Sequence, residues 1–131
     1  MFIRFVCANP ISGMDARAGF FDAAYELRYS DRLDELSADY LEAQLSWFRE
    51  NLTIPKKFSR SKQAHRQKQT TRGLSWYKHD AHEHISKSWE LIEFLKIWGY
   101  GIDVLTTDHV GFILYEDKLQ VVADPFNDTP R

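Results

Sequence analysis

Imidazoles and carboxylates, the usual protein ligands of zinc, are concentrated in one short run of the chain. This run is Lys78-His79-Asp80-Ala81-His82-Glu83-His84, at the start of a predicted helix. Because successive helical residues are about 100° apart, His82 and His84 point in nearly opposite directions and cannot bind one ion. Helical zinc pairs are spaced by four residues instead. We therefore predict no metal and no cofactor, with a weak surface site at His79 and His82 or Glu83 as the alternative.

His84 is the imidazole that the helical pattern turns toward the interior, on the same side as Ala81, Ser88 and Leu91. Burial can shift the pKa of a histidine toward a value useful in catalysis, so His84 is a candidate catalytic residue, with Tyr115 or a nearby acid as its partner. The structural alternative is a buried histidine that is hydrogen-bonded to a strand or to Tyr115. Whether the protein is an enzyme therefore stays open.

Carboxylates also surround the predicted strands near the end of the chain. Paired carboxylates can perform acid–base chemistry or bind Mg²⁺, but only where they converge. Strand alternation sends Tyr115 and Glu116 to opposite faces, and acidic residues are ordinary in turns. A turn role is therefore favoured for this group, which comprises Asp103, Asp108, Glu116, Asp117 and Asp124.

The middle of the chain is basic, although the net charge of the whole chain is −2. Between Ile54 and Lys78 there is no acid, whereas the segments on either side are acidic. Lysine and arginine neutralise phosphates and flat rings stack on bases, so basic residues near aromatic ones suit single-stranded nucleic acid. An acidic protein surface, or no partner at all, are the alternatives. The predicted anion-binding residues are Lys56, Lys57, Arg60, Lys62, Arg66, Lys68, Arg72, Lys78, Trp76 and Tyr77.

The elements that position these groups follow from hydrophobic spacing and turn residues. A capping box at Asp80 and Glu83 predicts a helix that ends at Gly99. Two earlier helices are predicted, from Ser12 to Tyr29 and from Asp31 or Ser37 to Leu52. Short β-branched and aromatic runs predict four strands, of which the last three form a meander: 2–8, 102–107, 111–116 and 119–124.

This order of elements predicts an α+β fold, with a mostly antiparallel sheet of about four strands and three helices covering one face. The other face is expected to be solvated or to form a homodimer, since both faces of the third strand carry bulky residues. A length of 131 residues with 44% hydrophobic residues suits one domain, 1–131, with a basic loop or linker at about 54–79. The single cysteine, Cys7, and the absence of a membrane-spanning run or signal peptide predict a cytoplasmic protein without membrane contact.

Several short motifs occur in combination over nearly the whole chain. They are Ala23-Ala24-Tyr25-Glu26-Leu27-Arg28, Trp47-Phe48-Arg49-Glu50-Asn51-Leu52, Ser75-Trp76-Tyr77-Lys78, Glu83-His84-Ile85, Tyr115-Glu116-Asp117 and Gln120-Val121-Val122-Ala123. Together they resemble the pattern of a family of small, uncharacterised bacterial proteins. The resemblance implies one bacterial cytoplasmic domain and carries no activity, cofactor or site residue.

Two functions remain after these observations. The leading prediction is a binding protein that uses the basic loop, within residues 54–78, to contact nucleic acid, a phosphate ligand or an acidic protein surface. The alternative is a small enzyme with its site near His84 and Tyr115.

Overall fold

The chain folds as an antiparallel sheet with helices packed against it, and the predicted α+β class is confirmed. The computed structural model describes residues 1–55 and 73–131. In these two ranges the helices are α1 (Phe20–Arg28), α2 (Glu35–Asn51) and α3 (His82–Ile97). The strands are β1 (Phe2–Pro10), β2 (Arg17–Gly19), β3 (Leu74–Lys78), β4 (Asp103–Thr107), β5 (Phe112–Glu116) and β6 (Gln120–Asp124).

The sheet is built around β1, which pairs antiparallel with three other strands. One edge of β1 pairs with β4 over residues 2–6. Two strands share the opposite edge of β1. β3 pairs with Phe2 and Ile3, and β2 pairs with the second half of β1, from Val6 onward. Since β3 also pairs with β6, and β6 with β5, the order across the sheet is β5-β6-β3-β1-β4. The four predicted strands are all present, whereas β2 and β3 were not predicted.

The predicted meander is wrong at one pairing. β5 and β6 form the expected hairpin, whose turn is held by Asp117, because its carboxylate accepts hydrogen bonds from the backbone N–H groups of Leu119 and Gln120. β4, however, pairs with β1 and not with β5. Local turn residues signal where a strand ends, but they do not specify which strand it will pair with.

The positions of β4 and β5 force the sheet to curl. These strands lie at opposite edges, yet only residues 108–111 connect them. The five Cα–Cα steps from Thr107 to Phe112 span at most about 18 Å. Four strand spacings of about 4.8 Å already separate the edges of a flat sheet by roughly 19 Å, before any displacement along the strands. The sheet must therefore be concave, and the connection, with Val110 buried, crosses its concave side.

Each face of the sheet has its own core. On the convex face, Phe5, Cys7 and Tyr77 pack under the three helices, so the predicted helical cover is found. On the concave face, Trp76 and Val121 are buried in a second cluster. One expectation for this face, exposure to solvent, is not met at these residues, because the chain itself buries them.

The helix ends differ from the predictions in two places. α1 begins at Phe20 instead of Ser12, because residues 17–19 pair with β1 and Gly19 caps the helix in an extended conformation. α3 begins at His82, and the Asp80 side chain does not cap it. The predicted stop at Gly99 is supported by its φ of +95°.

No helix within residues 1–55 and 73–131 is long and apolar enough to cross a membrane.

Gly111 tests the crossing of β4 to β5. Its φ is +110°, and an added Cβ would lie 2.0 Å from the carbonyl oxygen of Asp124. We expect Gly111→Ala to lower the free energy of unfolding by at least about 2 kcal/mol in urea titrations, through strain and collision. Gly101→Ala is the control, since no described atom lies within 4 Å of its Cβ position, and should stay within about 0.5 kcal/mol of wild type. Equal losses in both variants would contradict the close approach of Gly111 to the backbone of Asp124.

Candidate functional site

His84 is buried in the structure, and its hydrogen-bond partner is a helix terminus. Its Nε2 lies 2.7 Å from the carbonyl oxygen of Asn51, at the end of α2, and its ring packs against Trp47. The predicted hydrogen-bond partner of His84 was a strand or Tyr115, and neither accepts or donates this bond. The Nε2 atom thus satisfies one of the carbonyls that a helix C-terminus leaves without an intrahelical partner.

Tyr115 lies in the β5–β6 hairpin rather than beside His84. Its hydroxyl donates a hydrogen bond to Asp117, and this bond raises the pKa of Tyr115. Asp117 also accepts from the Gln120 side chain, which in turn donates to the carbonyl of Thr53. These contacts give the carboxylate the turn role that was favoured. Neither His84 nor Tyr115 lines any of the four cavities described within residues 1–55 and 73–131.

Most of the predicted anion-binding residues lie outside the described residues, since seven of the ten fall within 56–72. The other three belong to β3. Trp76 and Tyr77 are buried, so their rings are not available for stacking on bases. Lys78 forms a 2.6 Å ion pair with Glu116. Among the described residues, no three His, Cys, Asp or Glu side chains are placed to hold a metal ion.

A gap in the sheet creates the candidate site. β3 pairs with β1 at Phe2 and Ile3, and β2 pairs with it from Val6 onward. In the described strand pairings nothing lies beside Arg4 and Phe5 on this edge. A cavity of about 220 Å³ is located here, and its walls come from both faces of the sheet. We call it the Arg4 cavity.

Arg4 is the one charged side chain among the described residues that line this cavity. It is only 5% exposed. Its Nη2 donates a 2.6 Å hydrogen bond to the carbonyl of Arg17, whereas Nη1 has no hydrogen-bond partner in the described structure. Burial lowers the pKa of the guanidinium to about 10, so it stays positively charged at neutral pH. No carboxylate within residues 1–55 or 73–131 forms an ion pair with it.

Trp76 supplies a second buried donor to the same cavity. Its indole Nε1 has no hydrogen-bond partner among the described residues, and the side chain is 1% exposed. The recorded pairing of β1 with β3 ends at Ile3 and Tyr77, and strand alternation then turns the next residues, Arg4 and Trp76, toward the concave face. Buried donors are almost always paired in native proteins, so two unpaired ones in a single cavity call for an acceptor.

The remaining polar groups of the cavity are already engaged or lie at its rim. The Gln120 side-chain nitrogen lies 2.7 Å from the Thr53 carbonyl oxygen, and the Tyr77 hydroxyl lies 3.0 Å from the Ser88 hydroxyl. Ser75 is exposed at the rim. Among the described lining residues, Arg4 supplies one positive charge in a largely apolar surround. This arrangement suits the binding of an anion, and no nucleophile with an adjacent base is present in the described lining.

Arg4 was not identified as a site residue from the sequence. Strand alternation nevertheless places Arg4 with Phe2 and Val6 on one face, and an arginine within such an apolar run signals a buried charge. The gap that leaves its Nη1 unpaired depends on which strands flank β1, and local sequence does not carry that information.

In comparisons with known proteins, no family model, curated protein or solved structure matches the chain. The site is therefore interpreted from its own geometry.

Tyr77 provides a pH test of the cavity wall. Burial raises its pKa to about 12, so between about pH 10 and 12 the unfolded chain loses this proton while the folded protein retains it. The contribution of Tyr77 to stability, measured as the difference from Tyr77→Phe, should therefore be complete below pH 10 and should fall by on the order of 2 kcal/mol toward pH 12. Tyr77→Phe should lack this fall in urea titrations, and Tyr29→Phe, at an exposed position, should retain it. A similar fall in Tyr77→Phe would mean that Tyr77 ionises as freely as an exposed tyrosine.

Proposed function

We propose that this protein binds a small anionic molecule in the Arg4 cavity. The observation that carries the proposal is the buried guanidinium of Arg4, which has an unpaired Nη1 and no carboxylate partner in the described structure. The unpaired Nε1 of Trp76 in the same cavity supports it. An anion in the cavity would supply both the missing charge and the missing acceptors.

The energetic argument is that an unpaired buried charge is costly. Moving a charged group out of water costs several kcal/mol even after relaxation, and the loss is recovered only by a partner of opposite sign. Departures from such packing rules are expected at functional sites. Because Arg4 lies on the central strand, its burial follows from the fold, and a ligand supplies the partner that the described residues lack.

The predicted contact between the basic segment and nucleic acid or an acidic protein remains a separate proposal. It now rests on residues 56–72, since Trp76, Tyr77 and Lys78 are engaged within the fold. The enzyme alternative needs His84 and Tyr115 to lie in one site. It draws no support from the structure, because the two side chains have separate hydrogen-bond partners. A cytoplasmic location and a homodimer through the sheet likewise stay proposals.

The proposal predicts anion binding that depends on Arg4. A panel of sulfate, inorganic phosphate, acetate, benzoate and phenyl phosphate should include at least one anion that raises the melting temperature of the wild type. Arg4→Met should abolish this rise, because removing one partner of a desolvated charge pair costs about 2 kcal/mol or more. Lys118→Met, which removes the same charge at an exposed turn, should behave like wild type. The proposal fails if no anion acts, or if Arg4→Met responds fully.

A second prediction concerns the protein without ligand. Arg4→Met removes an uncompensated buried charge and keeps a long, unbranched side chain, although it loses the bond to the Arg17 carbonyl. We expect the free energy of unfolding to be unchanged or up to about 2 kcal/mol higher than wild type in urea titrations. A structural arginine would show the opposite result, a loss of several kcal/mol.

A further inference from the structure

A second surface of the protein carries large apolar side chains that the fold leaves exposed. It lies between the first half of α2 and the second half of α3, and we call it the α2–α3 groove. Leu36 and Ile97 are each 81% exposed there, and Tyr40 is 43% exposed. Single apolar side chains on a surface are ordinary, but a contiguous group of them marks an interaction site.

The two helices bring these side chains together because they pack antiparallel. The rings of Tyr40 and Phe94 are 4.9 Å apart, and toward the other end of the helices Trp47 packs on His84. The groove has a volume of about 370 Å³. An apolar cavity of about 150 Å³ holds benzene, so the groove has room for two large side chains of a partner. Its described lining comprises Leu36, Ser37, Tyr40, Glu90, Glu93, Phe94 and Ile97.

The groove is remote from the Arg4 cavity and from the residues that border segment 56–72. Leu36 and Asn51 lie at opposite ends of α2, about 22 Å apart along the helix axis. The described linings of the groove and of the Arg4 cavity share no residue. Binding in the groove can therefore be tested separately from binding in the cavity.

Acidic side chains border the groove on both helices. Glu90 and Glu93 belong to its α3 wall, and both are exposed. On α2, Asp39 is exposed one turn after Leu36, and residues 33–48 contain acids but no lysine or arginine. Asp39 forms no ion pair among residues 1–55 and 73–131. The groove thus combines apolar walls with acidic rims.

The bases nearest the groove do not block it. Lys87 lies 5.4 Å from the centre of the Trp47 ring, and Lys96 lies 6.0 Å from the centre of the Trp89 ring. Each lysine is also 3.4 Å from a glutamate of the α3 wall. Arg32 donates a hydrogen bond to the backbone carbonyl at the end of α3. Exposed ion pairs of this kind contribute little, so cations of a partner can compete for the glutamates.

We infer that the α2–α3 groove binds an amphipathic helix of a partner protein, with apolar residues on one face and lysine or arginine beside them. Its apolar side chains pack against the walls, and its cations pair with the acidic rims. Anchors at positions i and i+4 are about 6 Å apart along a helix, which fits within the roughly 10 Å from Glu90 to Ile97 along α3. A second copy of this chain is a poorer occupant, because its own rims would place acids against acids.

The experiment measures the fluorescence anisotropy of a labelled synthetic peptide as the full chain is added. The peptide has about 18 residues, enough to form a helix, with leucines at i, i+3, i+4 and i+7 and lysines elsewhere. Two comparison peptides each lack one feature. One has the same residues in an order that spreads the leucines around the helix, and the other has glutamate in place of every lysine. Each should bind at least about tenfold more weakly than the first peptide.

Variants of the apolar walls locate the binding site. Leu36→Ser and Ile97→Ser should each weaken peptide binding by at least about fivefold, since each removes a wall of the groove. Ile54→Ser is the matched control, because Ile54 is 70% exposed but lies outside the groove, and it should bind like wild type. All three positions are exposed, so these variants should keep the fold.

Variants of the acidic rims test the charge. The double variant Glu90→Gln and Glu93→Gln should weaken binding of the lysine peptide by at least about fivefold. Glu50→Gln removes a charge at the other end of α2 and should have no effect. Undiminished binding in the wall variants, or equal binding of the glutamate peptide, would overturn the inference.

Other occupants of the groove give different results. A wild-type dimer in sedimentation velocity that Leu36→Ser and Ile97→Ser dissociate would assign the groove to a second copy. Binding of a synthetic peptide with the sequence of residues 56–72, weakened by the same two variants, would assign it to the basic segment of this chain. Either result would overturn the inference and leave the proposed anion binding at Arg4 unaffected.

Discussion

The short connection between β4 and β5 is the constraint on which the rest of the structure depends. Because residues 108–111 must join strands at opposite edges, the sheet cannot be flat. Its curvature creates a concave face that the loops of the chain can cover, and this face holds Trp76 and Val121 in a core separate from the helical one. Gly111 fits against the backbone of Asp124 at the point where the crossing ends, where there is no room for a side chain.

The same arrangement explains why a charge is buried. β1 pairs with β4 on one edge and with β3 and β2 on the other, and the face that carries Arg4 turns inward because the sheet curls. β2 and β3 share one edge of β1 but do not fill it, so a cavity forms beside Arg4. The curvature of the sheet and the unpaired guanidinium of Arg4 therefore both follow from the strand order. An anion would complete the cavity without any change in the fold.

The sequence was informative where the signal is local. Alternation of apolar residues identified four strands, and Gly99 marked the end of α3 through a left-handed conformation that glycine adopts freely. The interior position of His84 followed from helical phase, but its partner Asn51 did not, because that contact joins two helices distant in sequence. The pairing of β4 with β1 and the existence of β3 depend on long-range contacts, and basic residues before Leu74 gave that strand the composition of a loop. Arg4 was not identified as a site residue, because its significance depends on the gap beside it.

The central position of β1 also has a consequence for the order of folding. This strand is made before every strand that pairs with it, since β2, β3 and β4 all follow it in the chain and β3 comes only after two helices. Until then, the apolar run from Phe2 to Cys7 has no strand beside it except β2, and β2 covers only its second half. Contacts between such distant segments slow folding and leave an unpaired strand edge during synthesis. Arg4, in the middle of this run, places a charge where a nascent strand would otherwise be most prone to aggregate.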